Sequence, residues 1–327
     1  MANVPATVGK KDNVLTRTLK SLNRTKYLQM LLLPGLIYYI IFHYKPMYGI
    51  IIAFKDFSIK KGIMGSPWVG LKHFRDFFSY IEFQRVFVNT IILNVYTLIF
   101  AFPMPIIFAV LLNELHNLHY KKFVQTVSYL PHFISTVSIV GMLHMLLSPN
   151  NGIVNNIIKA LGGSPIYFMA ETSWFRPIYV FSEIWQNIGW DAIIYIAALA
   201  NVDQQLYEAA VIDGASRVKQ IWHVSLPGIR PTIIIMLIMR MGSMMSSNTD
   251  KVLLMQNPMT YDVSDIIGTY VYRLGIKQAQ YSYSTAVGFF NSIINVLFLV
   301  VGNSISRRFG ESSLWSAGRV RINGKRR

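Results

Sequence analysis

Six stretches of this chain are apolar over lengths that approach or reach those of bilayer-crossing helices, and nothing else in it limits the fold so strongly. They run over about 28–42, 87–112, 127–147, 177–200, 229–245 and 285–305. A helix needs roughly 20 mostly apolar residues to cross the hydrocarbon core. His43, Lys45 and Pro46 interrupt the first stretch, which can run on past them. Inside lipid every backbone N–H and C=O must be paired within a helix or a closed barrel. Runs this continuous lack the alternation of barrel strands. The expected fold is an all-α integral membrane protein with six transmembrane helices.

Charge supports this reading. Charged residues make up 14% of the 327 positions, against about 25% in soluble domains. The net charge of +16 sits largely at the two ends: residues 1–27 carry six Lys/Arg and one acid, and residues 307–327 carry seven and one. That placement suits anionic headgroups on the cytoplasmic side, so lipid, not nucleic acid, is the expected partner. Both termini are expected in the cytoplasm, although the loop 43–85 carries seven basic residues of its own. The organisation read here is a basic tail over 1–27, one six-helix membrane domain over 28–306, and a second basic tail over 307–327. The first 27 residues hold no apolar run followed by a small-residue cleavage site, so the first apolar segment is expected to remain as an anchor.

Several chemistries find no support. Cysteine is absent, which leaves no disulfide or catalytic thiol. No GxxxxGK[ST], HExxH or GxSxG pattern occurs, so neither a phosphate-cradling ATPase nor a hydrolase is indicated. His116 and His119 have Glu114 alone nearby, and no metal site or cofactor is expected in this chain. Three loops, about 43–85, 148–176 and 246–284, fall on the side opposite the termini. In the first, Phe74, Phe77 and Phe78 after Trp68 are spaced as on an amphipathic helix lying at the membrane interface.

The polar segment between the fourth and fifth stretches reads EAAVIDGASRVKQIWHVSLPGIRP. Within the loop 201–231, Glu208, Ala209 and Ala210 can begin a helix that Gly214 and the downstream prolines terminate. Glu208, Ala209, Ala210, Asp213, Gly214, Ala215, Leu226, Pro227 and Pro231 match, in order, the EAA loop of bacterial ABC-importer permeases, which this segment closely resembles. Ile221 departs from that pattern, where an aromatic is usual, and Trp222 is expected to fill the same pocket. Leu33-Pro34-Gly35, Trp68-Val69-Gly70-Leu71, Asn89-Thr90, Leu130-Pro131, Gly152-Ile153-Val154-Asn155 and residues 185–189 look like phrases of carbohydrate-type members. The opening LLPGLIYYIIFHYKPMYGIIIAFKDF is similar to the branch for complex oligosaccharides and polysaccharides, including the alginate-importer type.

The resemblance implies one membrane-spanning subunit of an importer in the bacterial inner membrane. It implies a second homologous permease, two ATP-binding subunits that carry ATP–Mg, and an extracytoplasmic sugar-binding protein. The Glu208 loop would couple ATP hydrolysis to rocking of the helices. Within the spans, Trp185, Asn187, Trp190, Asp191, Arg240, Asn248, Asn291 and Asn295 mix aromatic faces with amide and charged groups, which suits an oligosaccharide path. Asn187 and Asp191 are four apart and share a helix face. The same residues can instead be interhelical glue. Arg240 can bind an anionic sugar or pair with Asp191. An importer of a non-sugar solute and a non-transporting membrane scaffold remain as alternatives.

Overall fold

In a computed structural model, residues 25–308 are described. The basic tails expected over 1–27 and 307–327 lie almost wholly outside these residues. The one β feature among the described residues is an isolated bridge between Lys55 and Trp68. The other regular structure is helical, and its main elements are α1 (Gln29–Phe54), α2 (Lys72–Ser79), α3 (Ile81–Asn113), α4 (Leu118–Phe133), α5 (Thr136–Leu146), α6 (Ile153–Ala160) and α7 (Thr172–Leu199), followed by α8 (Gln204–Ile212), α9 (Arg217–Gly242), α10 (Thr249–Met255), α11 (Ile267–Tyr272) and α12 (Tyr281–Arg308).

Among the described residues, α1, α3, α9 and α12 are long and apolar enough to cross a membrane, and α4 with α5 makes a fifth crossing if that pair, bent by 99°, is one span. The stretch expected over 177–200 is the 28-residue α7. It has the length of a span but carries Glu183, Gln186, Asn187 and Asp191, which lower its apolar character. The first stretch does run on past Pro46, to Phe54.

Prolines explain how α1, α3 and α9 stay continuous. A proline inside a helix clashes with the carbonyl four residues back. Ahead of Pro46, Pro103 and Pro227 the chain inserts a π turn, at Ile40–Tyr44, Thr97–Ala101 and Ile221–Ser225. Each closes with a wide bond to the carbonyl five residues back: Lys45 N–H to Ile40, Phe102 N–H to Thr97, and Leu226 N–H to Ile221. The widened turn makes room for the ring without ending the helix.

Three apolar clusters hold the helices together, and α3 enters all of them. Leu93 packs with Val140, Phe175, Tyr179 and Val252; Phe83 and Val86 pack with Phe77, Tyr270, Tyr283 and Val287; Ala109 and Val110 pack with Ala192, Tyr195 and Ile229. The second cluster adds a protein contact to the Phe74 helix. Phe77 on α2 is fully buried and touches Phe83 and Phe290, so that part of the face packs on protein, while Phe78 beside it is exposed. At Gly189 on α7 a Cβ would run into the Ser128 carbonyl of α4, so a side chain there would push these two helices apart.

Candidate functional site: a polar cavity and a capped loop

The long polar-faced helix α7 sets up the site. Glu183, Asn187, Asp191 and Tyr195 recur every four residues and line one cavity of about 400 Å³. Its other walls are Ala101, Phe102 and Pro105 of α3, beside the π turn, and Met236, Met239, Arg240 and Ser243 at the end of α9. Two of the wall groups are cross-linked from behind. His132 Nδ1 lies 2.9 Å from Asn187 Oδ1, so the imidazole donates there. Asn187 Nδ2 in turn donates to Glu183 Oε1 at 3.1 Å. Lys251 Nζ donates to the other oxygen, Glu183 Oε2, at 3.0 Å. The Lys251 side chain is 0% exposed and also lies over the Tyr179 ring, 5.2 Å from its centroid. His132 stacks flat on Trp190, with centroids 4.4 Å apart and 3° between planes. It sits in the last turn of α4, beside the bend into α5.

The second locus is the loop after α7. Asp203 caps α8 by accepting the Gln205 N–H at 3.0 Å. At the other end, Ala215 N–H bonds the Ala210 carbonyl at 2.8 Å and Gly214 N–H bonds Val211 at 3.0 Å. With Gly214 at φ +74, this pair of bonds is a Schellman closure. Beyond it Tyr207 Oη meets Ser225 Oγ at 2.9 Å, tying α8 to the π turn of α9. Val211, Ile212, Val218 and Trp222 are exposed around this hairpin.

Residues 79–311 match the family described as "Binding-protein-dependent transport system inner membrane component". This chain belongs to that family. Protein LplB of Bacillus subtilis (strain 168) is 45% identical over 295 residues, 90% of this chain and 93% of its own length. The polygalacturonan/rhamnogalacturonan transport system permease protein YteP of the same organism is 43% identical over 312 residues, 95% and 97% of the two chains. A crystal structure of a bacterial alginate ABC transporter, in complex with an alginate pentasaccharide-bound periplasmic protein, matches with TM-score 0.85 and 39% identity over 91% of this chain and 100% of that one. The protein is therefore a multi-pass inner-membrane transport component with an all-helical permease fold, not an enzyme.

The permease brings together part of the set expected from sequence. Asn187, Asp191 and Arg240 line one cavity, and Trp190 joins them through His132. Among the described residues Arg240 and Asp191 form no ion pair within 4 Å. Trp185 is exposed and lies outside the cavity wall. Asn248 caps α10 by accepting the Lys251 N–H at 3.2 Å. Asn295 accepts the Met245 N–H at 2.8 Å and donates to Ser246 Oγ at 2.9 Å, joining α12 to the chain just past α9. Asn291 is half-buried, also away from the cavity.

One local expectation needs correction. Glu208, Ala209 and Ala210 do not begin a helix; they run on from the middle of α8, whose start is set by the Asp203 cap. The prolines do not end it either, because Pro227 and Pro231 belong to α9. Ile221 packs into the cluster with Leu199 and Ile229, while Trp222 beside it is 65% exposed. Sequence reasoning missed Lys251 and His132. Lys251 fell in a presumed outer loop, where a lysine reads as solvated. Glu183 is one of the polar residues of the fourth apolar stretch, and its place four residues before Asn187 puts it on the same face.

Proposed function

We propose that this permease is one of two membrane-spanning subunits of an ATP-driven importer of carboxylate-bearing oligosaccharides released from polysaccharides. The observation that carries the reading is the cavity in which Asn187, Asp191 and Arg240 converge with Glu183 and Tyr195. It offers amide and carboxylate acceptors for hydroxyls and one guanidinium for a uronate. The names of the relatives, one for polygalacturonan/rhamnogalacturonan and one for alginate, support the cargo class. In this reading the chain crosses the membrane six times, α7 being the polar crossing, with both termini in the cytoplasm. A binding protein delivers cargo to the outer side. A second permease closes the cavity from its open side.

The hairpin of α8 and the start of α9 is the coupling element. Glu208, Ala209, Ala210, Asp213, Gly214 and Ala215 shape it, and Leu226 and Pro227 join it to the span. Its exposed Val211, Ile212 and Trp222 suit the groove of an ATP-binding subunit, where ATP–Mg is hydrolysed. ATP-driven closure of those subunits would bias a two-state rocking of the helices.

The test is uptake of a galacturonate trisaccharide by the complete complex in proteoliposomes. Asn187→Ala and Trp190→Ala should each lower uptake about fivefold or more, the range for losing a hydrogen bond or a stacking face, with assembly intact. Normal uptake in both would make these residues helix glue. Uptake of a peptide or phosphate in place of sugars would make the cargo a non-sugar solute, and no uptake of any solute would favour a scaffold.

A further inference from the structure

The cavity wall poses an electrostatic problem for an acidic cargo. Two carboxylates, Glu183 and Asp191, face it, and one guanidinium, Arg240. An anionic sugar entering such a space meets a net negative lining, and like-charge contacts across an interface cost several kcal/mol. The structure supplies a cation where cargo cannot reach it. Lys251 enters from α10, behind the wall, with no exposed surface, and its Nζ lies 3.0 Å from Glu183 Oε2. The other Glu183 oxygen is taken by Asn187 Nδ2.

We propose that Lys251 is a specificity-determining residue of the transport path: it cancels the charge of Glu183 from outside the cavity, so that the cavity accepts a carboxylate-bearing oligosaccharide. The proposal rests on the cargo reading above and adds to it a residue that never touches cargo.

The geometry separates this role from that of a simple structural pair. A structural pair joins α10 to α7, and losing either partner hurts transport of every solute alike. A charge-cancelling role is asymmetric. Without Lys251 the cavity keeps an uncompensated Glu183; without Glu183 it loses a negative charge and keeps a buried cation nearby. Lys251→Met should therefore depress acidic cargo selectively, whereas Glu183→Gln should not. The double variant should recover the selectivity of the unmodified chain, since the wall is again balanced. Lys251→Arg keeps the charge and should keep the selectivity.

The experiment uses the complete transporter in proteoliposomes with its binding protein, and compares uptake of a galacturonate trisaccharide with that of the neutral galactose trisaccharide. Taking the ratio of the two, relative to the unmodified chain, removes the binding protein's own preference. The expected result is a drop of about tenfold in the acidic-to-neutral ratio for Lys251→Met, the size of a 1.4 kcal/mol discrimination. The ratio should be unchanged or raised for Glu183→Gln and restored in Glu183→Gln/Lys251→Met. Equal loss of both sugars in both single variants, or an unmoved ratio in Lys251→Met, overturns the proposal and leaves the cargo reading standing. If Lys251→Met fails to insert, a fall of the ratio in Glu183→Gln overturns it by itself. An unmodified transporter that takes the neutral sugar and refuses the acidic one overturns the cargo reading, and this proposal with it.

Discussion

At the scale of single residues, the arrangement behind the cavity is directional. His132 donates to Asn187, Asn187 donates to Glu183, and Lys251 donates from the other side. His132→Phe separates the two roles of the ring. The stack on Trp190 can persist, while the bond to Asn187 is lost and its Oδ1 is left unpaired. The complex should lose about 1–3 kcal/mol of stability, read as a lower denaturation midpoint, while Trp190 fluorescence stays close to that of the unmodified chain. A large change in Trp190 emission would show that the bond, not the stack, holds the indole. The cavity was half legible in the sequence. The four-residue spacing of Asn187 and Asp191 predicts a shared face, and Glu183 and Tyr195 extend it. Lys251 and His132 were not legible, because each meets α7 through a contact between residues far apart in the chain: 68 positions separate Lys251 from Glu183, and 55 separate His132 from Asn187. No periodicity reports such a pairing.

At the scale of elements, α8 is a nine-residue helix closed at both ends, by Asp203 and by the Gly214 turn. Gly214→Val forces a β-branched residue into a left-handed backbone, at a cost of about 1–2 kcal/mol or more. That should loosen the closing turn and reduce substrate-stimulated ATP hydrolysis by the purified complex. Full stimulation in this variant would remove the turn from the coupling element. Glu208→Lys belongs to a different test. Glu208 is exposed in the body of α8, away from the cap. Reversing its charge should leave the helix formed, so lost stimulation with retained helix would mark Glu208 as a contact to a partner. The turn at Gly214 was readable from the sequence, but the start of α8 was not. Asp203 precedes the motif by five positions, and the cap fixes where the helix begins.

At the scale of the whole molecule, α1 stands apart from the rest. Its apolar window is 6% buried, and Leu31, Ile40 and Phe42 are exposed, while its last turns, Tyr48–Phe54, pack on α12. Such a surface is tolerable in lipid or against another subunit. The orientation proposed here has its own measurement. This chain has no cysteine, so single cysteines at Gly163 and Lys219, both exposed, can be probed on intact cells with an impermeant thiol reagent. Position 163 should label and position 219 should not; the reverse pattern would invert the topology and take α8 away from any cytoplasmic ATPase. The spans themselves were largely readable, because apolar length is a local property. The 99° elbow between α4 and α5 was not, since the hydropathy of 127–147 passes smoothly through it.

The π turns carry a consequence for how such a chain tolerates change in length. A helix advances by about 100° and 1.5 Å with each residue. Each π turn holds one residue more than an ordinary turn. Removing one residue from Ile221–Ser225 would return α9 to a regular winding and press Pro227 against the preceding turn. The segments on either side would keep nearly the same phase, since a π turn and an α turn each close about one circle, whereas a deletion from a regular turn of α9 would swing Ile212 and the Gly214 turn by about 100° about the helix axis. Loops elsewhere in the molecule can lengthen or shorten at little cost. In α9 the π turn holds its extra residue in place to make room for Pro227, and it is a deletion from the regular turns that would aim the whole hairpin in another direction.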